Sequence, residues 1–125
     1  MNGAIVSYVG ALLVFSWGVA HLFATTSVVR GFGEISPDNK RIITMEWIIE
    51  GIVLIFIGVL VGLVTYLDRS NSVARAVYWM SFGVLNILSV VSLFTGARNS
   101  FMAFRLCPYI FTGTSIMILI GSYVG

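Results

Sequence analysis

Two carboxylates, Glu46 and Glu50, stand at the head of a long apolar run, MEWIIEGIVLIFIGVLVGLVTYL (Met45–Leu67). A charge at the centre of a membrane helix costs roughly 2.5–3.5 kcal/mol on insertion scales, so an ionisable group there points to function and calls for a partner. The spacing i, i+4 puts both glutamates on one helix face with Val53 and Ile57, and such a face is expected to look into a bundle rather than at lipid. The chain's single histidine, His21, is the first candidate partner. Asn86, Arg98 and Arg105 are the others, one an amide able to donate and accept, two of them counter-ions.

One imidazole and two carboxylates are ordinary ligands for a divalent metal, but no compact HxxE or ExxH pair occurs, and no metal site is expected. General acid–base work by a buried glutamate is chemically open. No P-loop, GxGxxG or nucleophile elbow is present, and Gly31-Phe32-Gly33 is too short to serve as a phosphate loop. The lone cysteine, Cys107, excludes an intrachain disulfide and reads as a packed thiol.

The elements that must position these groups are membrane helices. Of 125 residues, 58% are hydrophobic and 10% charged, against about 25% charged in soluble domains, and the mean hydropathy is +1.01. Four apolar segments run from about Ala4 to Ala24, Ile42 to Leu67, Val77 to Ala97 and Pro108 to Val124, each near the roughly 17–25 residues a spanning helix needs. The first is expected to be a retained span, since no basic region precedes it. Short connections force an antiparallel, up-down-up-down, all-α bundle of four transmembrane helices forming a single domain, residues 1–125. Arg30, Lys40, Arg41, Arg98 and Arg105 lie in the first and third connections, against Arg69 and Arg75 in the second. The positive-inside rule then puts loops 25–41 and 98–107 in the cytoplasm and both termini outside, in a cytoplasmic membrane. The net charge of +2 is too small and scattered for nucleic acid.

Ser36-Pro37-Asp38 has the form of a helix start, with Ser as cap and Pro in the first turn, so helix 2 is expected to begin near Pro37. Counted from Arg41 at about 1.5 Å per residue, Glu46 lies about 8 Å and Glu50 about 14 Å further along the axis. His21 closes helix 1 at the same end. Arg98 and Asn99 close helix 3 there; Arg105, Cys107 and Pro108 open helix 4. A polar cavity lined by His21, Glu46, Glu50, Asn86, Arg98 and Arg105 is therefore expected at the end carrying the first and third loops, while the other half reads as nearly bare. Gly58 and Gly62 form a GxxxG, as do Gly121 and Gly125, and these suit either packing within the bundle or a homo-oligomer.

The stretches FSWGVAHLF and EWIIEGIVLIFIGVLVG, with the E-x-x-x-E-G pattern opening helix 2, resemble the DoxX-like small four-helix membrane proteins. The resemblance implies a compact bundle that serves in some cases as an accessory or quinone-linked subunit of an oxidoreductase system, and it carries over to Glu50 and Gly51 alone. From the residues themselves, a cavity with one polar end and apolar walls suits a quinone or lipid-like amphiphile. A proton- or ion-coupled transporter using Glu50, a membrane enzyme acting on an amphiphile, and a structural subunit meeting a partner membrane protein are the competing readings.

Overall fold

The computed structural model describes residues 2–125 as four long helices, without strands among the described residues. Asn2 caps α1 (Gly3–Gly31), its side-chain oxygen accepting from the Ala4 amide at 2.9 Å. Ser36 caps α2 (Pro37–Asp68), accepting from the Asn39 amide at 3.1 Å, with Pro37 in the first turn as the sequence suggests. Asn71 caps α3 (Ser72–Phe94). A single 3-10 turn, Gly96–Arg98, leads to α4 (Met102–Tyr123). All four are long and apolar enough to cross a membrane, and the chain is a small multi-pass membrane protein.

Two boundaries differ from the sequence expectation. Helix α1 continues past Ala24 to Gly31, because nothing breaks it before Gly33, whose φ of 71° is left-handed and ends the run. Helix α4 starts at Met102, so Pro108 lies inside it rather than at its head. Proline has no amide to offer the Phe104 carbonyl one turn back, which locally weakens the first turns of α4.

The helices form a ring in chain order. The pairs α1/α2, α3/α4 and α1/α4 pack closely, while α2 and α3 meet far less. Val14, Leu54, Leu85, Phe111 and Ile118 fill the centre and are fully buried. The outer face carries exposed Leu12, Phe56 and Ile87, as a lipid-facing surface requires.

Where helices must touch, glycine allows it. A Cβ on Gly18 of α1 would stand 2.7 Å from the Gly51 carbonyl oxygen of α2, and one on Gly58 would stand 2.7 Å from the Ala11 carbonyl oxygen. Ala11 and Gly18 thus face Gly58 and Gly51, forming an antiparallel seam of small residues that brings the two backbones into contact. Gly62, the second half of the expected GxxxG, has nothing within 4 Å of such a Cβ and faces outward.

The end carrying the termini is tied more firmly than its sequence suggests. Arg69 donates to the Gly121 carbonyl at 2.8 Å and to the Gly125 carbonyl, fastening the second connection to the end of α4. Buried Tyr78 and Thr65 share a hydroxyl hydrogen bond of 2.9 Å beneath it.

Candidate functional site

The contact of Gly18 with Gly51 fixes what lies beside it. His21 follows Gly18 by one turn, Glu50 immediately precedes Gly51, and the imidazole Nε2 comes to 3.6 Å from Glu50 Oε1. That separation is within ion-pair range and beyond hydrogen-bond length. His21 is only 5% exposed, whereas the Glu50 side chain is 38% exposed, so the pair has a buried member and an open one.

Two aromatic rings hold the imidazole and a third braces one of them. Trp47 stacks on it with centroids 4.4 Å apart and planes at 22°. Trp17 meets it edge-on at 6.2 Å. Phe104 of α4 meets Trp47 edge-on at 5.4 Å, linking α4 to the group. Trp47 Nε1 also donates to the His21 carbonyl at 2.6 Å, so one residue of α2 fixes both the ring and the backbone of His21.

The tautomer follows from the partner. Nδ1 lies 3.1 Å from the Trp17 carbonyl oxygen, which can only accept, so Nδ1 carries a proton. When the ring is neutral, Nε2 presents a lone pair to Glu50, and an ionised carboxylate presents another. Two acceptors make no hydrogen bond with each other, so both lone pairs stand open to a third group that donates to them.

A cleft opens from this pair to the outside of the bundle along the thin seam between α2 and α3, with Val28 of α1 and Phe32 just beyond it on its rim. Its outer lobe, about 410 Å³, is walled by Ile42, Ile49 and Val53, with Glu46 and Glu50 at its polar edge. Its inner lobe, about 280 Å³, reaches His21, Val91, Thr95 and Cys107. Trp47, Glu50, Leu88 and Phe104 border both. A further chamber of about 170 Å³ lies behind Trp47 among Trp17, Ala24 and Cys107. The buried Trp17 Nε1 has no hydrogen-bond partner among the described residues.

The six residues expected to converge fall into four groups. His21 and Glu50 are paired at the junction of the lobes. Glu46 is exposed at the outer lip and makes no ion pair among the described residues. Of the expected stripe, Glu46, Glu50 and Val53 border the side of the cleft, while Ile57 is buried in the core with Leu54 and Val61.

Asn86 belongs to another seam: its amide donates to the Phe82 carbonyl at 2.7 Å and to Ser115 Oγ at 2.9 Å, joining α3 to α4. Ser89 extends that seam to the Pro108 carbonyl and to Thr112. Arg98 and Arg105 are exposed, line neither lobe, and pair with no carboxylate among the described residues. The Arg98 guanidinium instead lies 5.7 Å from the centroid of the Phe94 ring.

Sequence reasoning passed over Trp47 and Phe104, the two rings that shape the cleft. Trp47 was signalled by its place between the two glutamates; Phe104 was signalled only by the proline four residues later. No three metal-binding side chains come together among the described residues. The chemistry available is hydrogen bonding and proton exchange at one end of an apolar slot. Compared with known proteins, the chain matches no family model, no curated protein and no solved structure.

Proposed function

We propose that this protein binds an amphiphile of the quinone or lipid class, its polar head at His21 and Glu50 and its tail leaving between α2 and α3. The observation that carries this reading is the placement of the His21–Glu50 pair at the base of a side-opening cleft with apolar walls. A pair that holds one proton can donate to a quinone carbonyl, and its ionised carboxylate can accept from a quinol hydroxyl. The outer lobe, about 410 Å³, falls within the roughly 300–1,000 Å³ of small-molecule sites and the inner lobe, about 280 Å³, just below it; both are mostly apolar with a few polar groups, as such sites are.

Transport is the weaker reading. Beyond the cleft the bundle axis is filled by Val14, Leu54, Leu85 and Phe111, all fully buried, so the polar groups are served from one end and from the side. A binding site of this kind suits an accessory subunit of a redox system, which is also what the resemblance to DoxX-like proteins implies.

The test is titration of the purified protein with a short-chain ubiquinone analogue, read by Trp fluorescence and thermal shift. Glu50→Gln and His21→Ala are expected to weaken binding at least about tenfold, or about 1.4 kcal/mol, while Glu46→Gln has a smaller effect. Equal affinity in all four proteins would overturn the assignment of the site.

A further inference from the structure

We propose that the groove between the end of α1, the first connection and the start of α2 binds the phosphodiester head group of an anionic membrane lipid. The groove holds about 790 Å³ and shares no lining residue with either lobe of the cleft. Two cations border it, Arg30 from the last turn of α1 and Lys40 from the first turns of α2, with Val29 and Ile35 as apolar wall. Neither cation is paired with a carboxylate among the described residues, whereas the neighbouring Arg41 is held by Asp38 at 3.4 Å.

Charge and hydrogen bonding narrow the ligand. Arg30 and Lys40 set against Glu34, which borders the same space, leave a net charge of +1. That matches a monoanionic phosphodiester better than a divalent anion. The Thr25 and Thr44 hydroxyls give their protons to backbone carbonyls, so the side-chain donors that remain for a ligand are Arg30, Lys40 and the exposed Thr26 hydroxyl. Arginine and lysine recognise phosphate oxygens well, and both stand where helices leave the hydrocarbon, at head-group level.

The experiment uses the full chain in a neutral detergent. Phosphatidylglycerol, phosphatidylcholine and millimolar inorganic phosphate are titrated in turn, with thermal unfolding and native mass spectrometry as readouts. Phosphatidylglycerol is expected to raise the unfolding midpoint where phosphatidylcholine and inorganic phosphate do not. The double variant Arg30→Gln/Lys40→Gln should bind phosphatidylglycerol about thirtyfold more weakly, and Glu34→Gln about fivefold more tightly, on the usual contribution of a basic or acidic group at an anionic lipid surface. Arg98→Gln/Arg105→Gln removes the same charge from the same end of the bundle and should leave binding unchanged. An equal loss in that second pair would show diffuse surface attraction and overturn the site. Stabilisation by inorganic phosphate equal to that by lipid would assign the groove to a soluble anion instead. Should the Arg30/Lys40 pair fail to fold, Glu34→Gln decides: no gain in lipid affinity refutes the proposal.

Discussion

The contact between Gly18 and Gly51 positions the His21–Glu50 pair, and it makes a sharp prediction because three glycines on the same two helices differ only in what they face. An alanine methyl at Gly18 would stand 2.7 Å from the Gly51 carbonyl oxygen and 2.8 Å from the Ile55 amide nitrogen, both backbone atoms of α2 that no rotamer change can move. At Gly51 the first atom met is Leu22 Cδ2 at 2.8 Å, the far end of a flexible side chain, with the Gly18 carbonyl oxygen at 3.1 Å. At Gly62 nothing lies within 4 Å. Glycine to alanine in a helix interior gains about 1 kcal/mol of intrinsic propensity, and this gain is common to all three substitutions. Their differences therefore read the steric term alone, about 1–3 kcal/mol for overpacking of a close contact. Gly18→Ala should be less stable than Gly62→Ala by that amount, with Gly51→Ala between them. Reversible unfolding in mixed micelles containing sodium dodecyl sulfate, followed by Trp fluorescence, measures the order. Equal midpoints for Gly18→Ala and Gly62→Ala would refute the seam, and with it the account of how the two helices bring His21 to Glu50.

Three further outcomes follow from individual contacts. Arg69→Gln removes the charged donor to the Gly121 and Gly125 carbonyls and should cost about 1.5–3 kcal/mol, seen as faster amide exchange at the end of α4; unchanged exchange there would count against the clamp. Trp47→Phe retains a ring to stack on His21 but loses the donor to its carbonyl, so ligand affinity should fall while the unfolding free energy drops by only about 0.6 kcal/mol, as for an average interhelical hydrogen bond in a membrane. Asn86→Leu breaks the bond to Ser115 with a stability loss of similar size, and the titration with the ubiquinone analogue should give the same affinity as the parent chain.

The four helices, the start of α2 at Pro37 and the placing of His21 at the glutamate-bearing end of α2 were legible because they depend on length, capping and position along an axis, although His21 was expected level with Glu46 and instead meets Glu50. Rotation about the axis was not. Helix α2 is apolar nearly all round, so periodicity could not say which side met the bundle, and the two glutamates alone suggested a face turned inward. Packing decided otherwise: Gly51 and Gly58 took the contact with α1, which turned Glu50 toward the α3 side and left Glu46 exposed. The arginines were ambiguous for a related reason. A long basic side chain at a helix end reaches either water or an interior carboxylate from nearly the same Cα position, and sequence could not show that Arg98 lies over Phe94 or that Arg69 serves backbone carbonyls. Asn86 was expected to line the cavity, but its partner Ser115 lies across a different seam.

The lopsided build of the bundle gives the cleft its place. At the end carrying the termini, Arg69 ties α4 to the second connection and Tyr78 bonds to Thr65 under it, so α2 and α3 are held together where they are joined. Toward the other end, α3 stops at Phe94 and the chain passes through a 3-10 turn to α4. Pro108 removes a hydrogen bond from the Phe104 carbonyl there, while the Phe104 side chain rests on Trp47. The cleft between α2 and α3 lies at that end, where a carboxylate and an imidazole are placed. Phe104 borders both lobes of the cleft and the chamber behind Trp47, and His21 lines the inner lobe and that chamber, so this one ring, set on the turn of α4 that Pro108 weakens, stands between the spaces around the imidazole.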